Sequence, residues 1–388
     1  MRFPLFPWTR RRVLRFALFV GVTGVLAGQV RANEGVSADA IVIGQTLSLK
    51  EGRDPYGTAV MDGIRLKLDA VNRAGGVHGR KLVLRTLDDQ GKAALAEDNA
   101  RTLVERDKAF VLFGTLEGGP STAVLKVARS LGVPLFGPMA GSPDFREVYD
   151  PLVVPVRAEH KDEFRKMMQH AKTSGFTRLA FFRADSPTGE KHVSNVRTLS
   201  RELGMSVVAD LPFRGEVSDA ALQAVAARIL DSGAQMVMNH GSPDVYVRLF
   251  QALQRLAPHV RVYAVNSGIS QIVERLGPGA AGMVFATITP PPGSLKHPVI
   301  RTFRAEFDRR YPGGVATYAS LEGYLTAWAL TEALERTGPS LTRRRFIDGL
   351  RDAEIDLAGL VLRYTPQRRA GLSFVELATV DTDGRLRY

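Results

Sequence analysis

The chain has 388 residues, too many for one compact core, which points to two domains. Its hydrophobic share of 45% and charged share of 24% are ordinary for a globular protein, and the lack of cysteine excludes disulfides, a thiolate nucleophile, thiolate metal sites and a lipidated cysteine. The formal charge of +12 is uneven: residues 1–32 hold Arg2, Arg10, Arg11, Arg12, Arg15 and Arg31 and no acid, leaving +6 on the remainder. That removes the grounds for a nucleic-acid partner, and the densest basic cluster left, Arg343-Arg344-Arg345, reads as a solvated helix face.

The first 32 residues have the pattern of an export signal. Arg10-Arg11-Arg12 precede the apolar stretch from Phe16 to Ala27, which is short for a bilayer span, and Val30-Arg31-Ala32 suits a signal peptidase. A mature start near Asn33 is expected, with an uncleaved anchor as the alternative. Thr9 to Arg15 is also similar to a twin-arginine signal, and a location outside the cytoplasm is expected.

Beyond it, strand-like runs open at Ile41-Val42-Ile43, Lys81 to Leu84, Ala109 to Phe113, Val133 to Phe136 and Leu152-Val153-Val154. Between the first two, Val60, Met61, Ile64, Leu68 and Val71 form one helical face, ended by Gly75-Gly76. Alternating strands and helices predict a parallel sheet covered on both faces. The pattern repeats with Arg178 to Phe182, Val207-Val208, Gln235 to Met238, Val260 to Val265 and Met283 to Phe285. Pro290-Pro291-Pro292-Gly293 breaks the second unit; helices are expected at Leu321 to Leu334 and Arg345 to Leu350, and closing strands at Leu360 to Leu362 and Ser373 to Val380, with a turn at Asp383-Gly384.

Two loops stand out. Gly114 to Thr122 is glycine-rich and polar, follows a strand and leads into a helix marked by Ala123, Val124, Val127 and Ala128; Gly137 to Pro143 has the same form after the next strand. Ligands in open α/β sheets sit beyond the carboxyl ends of strands, where helix-start N–H groups attract anions and glycine admits close approach. Either loop alone can be a plain connection; the pair points to a carboxylate site. Glu117 faces solvent or meets a ligand ammonium. Asp88-Asp89 reads as loop hydrogen bonding in preference to a metal site. The seven histidines are scattered, with no His-Glu-x-x-His pattern, and neither a G-x-S-x-G elbow nor a phosphate loop occurs. No metal, cofactor or catalytic residue is expected.

In order and spacing, several segments together resemble the periplasmic leucine/isoleucine/valine-binding-type (type I) solute receptors of ABC transporters: Ile41 to Gly44, Tyr56-Gly57, Val71-Asn72-Arg73-Ala74-Gly75-Gly76-Val77-His78-Gly79-Arg80, Asp88-Asp89, Val133 to Pro138 and Ser320 to Tyr324. The resemblance covers nearly all of the chain after residue 32. It implies an α/β fold of two Rossmann-like lobes with parallel-type sheets, joined by a three-segment hinge. Residues 1–32 would be the signal peptide, 38–155 plus 288–355 lobe 1, and 156–287 plus 356–388 lobe 2. The ligand would lie in the cleft, with Leu116, Glu117, Gly118, Gly119, Ser121, Thr122, Met139, Gly141 and Ser142 on lobe 1. Tyr56 would cover it, and Ser186, Thr188, Ser242, Asn266 and Ser267 would line lobe 2. The implied function is capture of a small organic solute and delivery to an ABC permease in the inner membrane, by a monomer, without chemistry. A sensory module for a membrane receptor and an extracytoplasmic enzyme are the alternatives. Amino-acid binders of the family usually carry hydroxyl residues where this chain has Gly118 and Gly141, often an aromatic where Thr188 stands, and an acid near Asn266 or Ser267. A carboxylate or amide without an ammonium group therefore fits as well as an amino acid.

Overall fold

The computed structural model describes residues 35–52, 54–214, 217–365, 368–369 and 371–388. The proposed export signal lies outside them. Among the described residues no helix is long and apolar enough to cross a membrane.

Lobe 1 opens with β1 (Ala40–Leu47), α1 (Pro55–Arg73), β2 (Lys81–Asp88), α2 (Ala93–Glu105), β3 (Val111–Phe113), α3 (Gly118–Leu131), β4 (Leu135–Phe136) and β5 (Val153–Val154). The strands form a parallel sheet in the order β2-β1-β3-β4-β5. Every residue of β3, β4 and β5 is buried, as continuous apolar runs in a sheet covered on both faces should be. The chain then builds α4 (His160–Thr173), β6 (Arg178–Ala184), α5 (Pro187–Leu203), β7 (Ser206–Phe213), α6 (Asp219–Asp231), β8 (Met236–His240), α7 (Pro243–Leu256), β9 (Arg261–Ala264), α8 (Ile269–Leu276) and β10 (Val284–Thr287). It continues through α9 (Pro298–Arg310), α10 (Tyr318–Thr337), α11 (Arg343–Gly349), β11 (Ala353–Asp356), β12 (Val361–Thr365), β13 (Arg368–Arg369), β14 (Glu376–Val380) and β15 (Leu386–Arg387). The second sheet runs β15-β14-β10-β9-β8-β6-β7, parallel from β10 to β7, with β14 and β15 antiparallel at its edge.

The strand orders locate the cleft. In lobe 1, β1 lies between β2 and β3; in lobe 2, β6 lies between β7 and β8. These are switch points, where loops leave neighbouring strand ends toward opposite faces and open a crevice. The loops after β1 and β3, and those after β6 and β8, are therefore the candidate walls of a binding cleft.

One core cluster fills lobe 2, from Phe164 and Phe181 to Phe285. Two others cover the faces of the lobe 1 sheet: one under α2 and α3, the other under α1, α9, α10 and α11. The first crossing leaves β5 at Pro155, and the second falls between Thr287 and Pro298. The third was expected near Asp356, and here the structure differs. Ile355, Leu357, Leu360, Leu362, Tyr364 and Leu372 join the lobe 1 core, and the chain enters the lobe 2 sheet only at Glu376. The short β11-β12-β13 sheet explains the shift, because its apolar alternation packs on lobe 1. The arginine triplet is likewise not wholly solvated: Arg343 turns inward and donates to the carbonyls of Phe110 (3.0 Å) and Ala109 (2.8 Å).

Glycines let α1 and α10 pack tightly. A Cβ on Gly63 of α1 would lie 1.8 Å from the Ser320 carbonyl oxygen, and one on Gly323 of α10 would lie 2.2 Å from that of Val60. Gly323→Ala should therefore force the helices apart and cost roughly 1–3 kcal/mol. Thermal melts should show a clear drop for Gly323→Ala and none for Gly279→Ala, whose Cβ would meet nothing within 4 Å. Equal melting of the two variants would contradict this packing.

Candidate functional site

On lobe 1, the two glycine-rich loops lie side by side: the Met139 N–H donates to the Thr115 carbonyl at 2.8 Å, and Leu116 and Met139 form a parallel bridge. The helix after the first loop starts at Gly118, ahead of the apolar positions from Ala123 onward that mark it in the sequence. The first-turn N–H groups of Gly118 and Gly119 are the ones a helix leaves without an internal partner, and both residues reach the surface. Glu117, at the N-cap position, has φ 60 and ψ 155, a region that non-glycine residues rarely enter and that gathers at ligand clamps. The residue as a whole is exposed, but its carboxylate lies against the loop at Gly91, where an added Cβ would be 3.4 Å from Oε2. Burial pushes its carboxyl up to about 7, against the pull of Lys50 and with Asp54 and Asp89 adding to the rise.

The hydroxyls nearby are committed locally. Ser121 is buried and donates to the Leu116 carbonyl (3.2 Å), and Thr122 donates to that of Gly118 (2.7 Å). Ser142 accepts from the Asp144 N–H (3.2 Å) and donates to its carboxylate (3.0 Å). Arg146 braces this second loop and the first crossing, donating to the carbonyls of Ala140, Ser142 and Arg157. Asp88 and Asp89 are loop acceptors: Asp88 takes the N–H groups of Leu49, Glu51 and Gln90, and Asp89 those of Gly91 and the Thr46 hydroxyl.

Facing them from lobe 2, Ser186 caps α5 by accepting from Gly189 N–H (3.1 Å), and Ser242 stands exposed at the start of α7. Tyr246, buried in α7, takes the Gly241 N–H on its hydroxyl (3.3 Å) and also meets Ser267, so it ties two lobe 2 loops together. The lobes touch directly. His160 N–H donates to the Gly141 carbonyl (2.9 Å), Thr188 donates to Asp144 (2.7 Å), and Lys191 pairs with Asp144 (2.7 Å) and Glu147 (3.0 Å). Burial opposes the Asp144 charge, yet Lys191, Thr188 and Ser142 hold its pKa below the usual range.

Between these walls lies a buried charge cluster. Arg157, on the first crossing, binds Glu163 of α4 through one guanidinium nitrogen and lies 3.7 Å from Glu322 of α10 through another. Glu163 also accepts from the Asn266 N–H (2.7 Å), and Asn266 Nδ2 donates across to Glu322 (3.2 Å). All four residues are 3% exposed or less. Burial alone would strip the charges, raising Glu163, while Arg157 and the Asn266 N–H oppose the rise. Burial also works against the Arg157 charge, but Glu163 and Glu322 outweigh it and raise its pKa. Glu322 is pushed up to about 7 by burial, against Arg157 and with Glu163 adding. Burial first, and then the Glu322 charge, raise the hydroxyl of the half-buried Tyr56 well above its ordinary value. Asn266 Oδ1 and Glu322 Oε1 are buried without a hydrogen-bond partner.

The model of the periplasmic binding proteins matches residues 40–385. The chain belongs to this family. Among solved structures, an extracellular ligand-binding receptor from Verminephrobacter eiseniae shares 26% identity at a TM-score of 0.80, over 90% of this chain and 100% of its own. The fold is shared with two more distant proteins: one from R. palustris solved with benzoate (18% identity, TM-score 0.77, 90% and 95% covered) and one from Desulfitobacterium hafniense solved with Leu (20%, 0.73, 90% and 100%). A Leu/Ile/Val-binding protein homolog of Brucella suis is 25% identical over 186 residues, 45% of this chain; the match spans about half (46%) of that protein's length. Membership implies an extracytoplasmic location.

In this periplasmic binding protein the residues expected at the ligand site lie on or beside the loops described above, and Tyr56 interacts with Glu322. Sequence reasoning missed Arg157, Glu163 and Tyr246, and took Glu322 only as part of a helix motif. Arg157, in Val156-Arg157-Ala158, and Glu322, in Leu321-Glu322-Gly323, carried one signal, a charge flanked by small or apolar residues, which says nothing of the partner; Glu163 and Tyr246 carried none. It also read the histidines as scattered. His160, His192 and His240 in fact converge behind the second loop: a Cβ on Gly141 would lie 2.7 Å from the His160 ring.

Proposed function

We propose that this protein is a receptor that captures a small organic solute in the cleft between its lobes and delivers it to an ABC permease in the inner membrane. The observation that carries the reading is the meeting of opposed walls from two switch points within a periplasmic binding protein chain. The Gly118 and Gly119 N–H groups favour a carboxylate, and Asn266 Oδ1, buried with no hydrogen-bond partner, favours a ligand that donates N–H. An amino acid, an amide or a related carboxylate combines these features. The names of the relatives, which include a Leu/Ile/Val-binding protein homolog and chains solved with Leu and with benzoate, support that class. The chain is proposed to be a monomer, exported to the periplasm by residues 1–32, and to perform no chemistry on its ligand.

Closure is the working step. A solute that bridges both walls binds the closed form better, and that difference is what shifts the lobes. Native mass spectrometry of the purified protein should reveal a bound solute of low mass. Small-angle scattering should show compaction when that solute is added back to the stripped protein. An unchanged profile at saturation would argue against hinge closure.

A further inference from the structure

Three histidines far apart in sequence come together beside the cleft. His160 is the first residue of α4, His192 lies in α5, and His240 ends β8 at the lobe 2 switch point. One ring nitrogen from each lies within 4.8 Å of the others, and the ring centroids are 4.4, 4.7 and 5.3 Å apart. His160 and His192 are 6% and 1% exposed, and His240 is half-buried.

Packing alone leaves this cluster incompletely explained. Phe164 lies against all three rings and gives the group an apolar flank. Yet Nδ1 of His192 and Nδ1 of His240 are buried with no hydrogen-bond partner. Buried polar atoms normally find a partner, and two orphaned imidazole nitrogens in one cluster point to a group not yet in place. The third ring is already oriented: His160 Nδ1 lies 2.8 Å from Glu163 Oε1, and Glu163 is itself held by Arg157 and the Asn266 N–H. A carboxylate behind a histidine is the arrangement that fixes the ring of a metal ligand and raises its basicity. It leaves Nε2 of His160 as the free donor.

We propose that His160, His192 and His240 form a binding site for a divalent transition-metal ion of the zinc class, with Glu163 positioning His160. Three imidazoles without a direct carboxylate suit zinc, cobalt, nickel or copper, and not calcium or magnesium. Tetrahedral zinc, at about 2.0–2.1 Å from each nitrogen, places its ligand nitrogens roughly 3.4 Å apart. Binding would draw the three nitrogens in from their present spacing, which is within 4.8 Å. Three protein ligands leave a fourth position open. The site does not depend on which solute the cleft holds, since its donors come from lobe 2 alone.

The test uses Co2+ as a visible probe and Zn2+ as competitor, on protein without an affinity tag, stripped with a chelator. Wild-type protein should bind one Co2+ with the intense visible absorption of tetrahedral coordination, displaced by one Zn2+, and Zn2+ should raise the melting temperature. His192→Phe and His240→Phe keep a ring in the cluster but remove the nitrogen. Each should weaken binding by about two orders of magnitude and abolish the thermal shift. Substituting the exposed His259 by alanine should change nothing. Should one phenylalanine variant fail to fold, the other carries the same comparison. Absence of saturable Co2+ and Zn2+ binding by the wild type overturns the proposal, and so does binding of equal strength in a folded phenylalanine variant. Neither result bears on solute capture, which is read separately by the co-purified ligand.

Discussion

Replacing Arg157 by methionine should destabilise the protein by about 3–5 kcal/mol, the range found when one partner of a buried ion pair is removed. Methionine fills much of the volume but leaves Glu163 and Glu322 without their cation, at exposures of 0% and 2%. The pair itself need not be strongly stabilising, because burying two charges offsets most of their attraction. The loss comes from the charge left behind. Adding Glu163→Gln to Arg157→Met should therefore recover part of the stability, since the amide oxygen still accepts from Asn266 N–H while one of the two unpaired carboxylates is gone. Urea titrations of the single and double variants give the comparison. A cost below about 1 kcal/mol for Arg157→Met would mean that the cluster opens to water in solution.

The elements were legible because their signals are local. Apolar runs of strand length marked every strand of the first sheet, and helical spacing marked α1 and α3. The two loops were legible for the same reason, since a glycine-rich stretch between strand and helix announces its own position. β11 and β13 were missed: they are short, and they owe their strand form to pairing with β12. The third crossing moved with them, because the side of the hinge a strand joins is decided by packing. The charge cluster and the three histidines were illegible for a stronger reason. His160, His192 and His240 come from two helix segments and a strand end, and only the lobe 2 strand order brings them together. A single sequence carries no record of that proximity.

Gly118→Val should abolish solute binding while leaving the fold intact. The position has room for a side chain: a Cβ at Gly118 meets nothing within 4 Å, and its φ is not in the left-handed region. The added isopropyl group would stand at the start of α3, where the Gly118 and Gly119 N–H groups are proposed to receive a carboxylate. Losing two charge-assisted hydrogen bonds at roughly 1.5–3 kcal/mol each weakens binding by about two to four orders of magnitude. Calorimetry with the co-purified solute reads the affinity, and a melt of each variant confirms folding. Unchanged affinity in folded Gly118→Val would show that the loop only turns a corner. Glu117→Gln separates the two ligand classes. If the solute carries an ammonium group near Glu117, affinity should fall sharply; if the side chain faces solvent, affinity should barely change. The same variant tests the raised carboxyl. With a folded-state pKa of about 7 against an ordinary 4.5, the folded protein holds the proton over that interval and the unfolded chain does not. Stability should thus decline as pH rises from about 4.5 to 7, and Glu117→Gln should flatten that decline. A pH profile identical in the two proteins would place the Glu117 carboxyl in open solvent and leave only its backbone in the site.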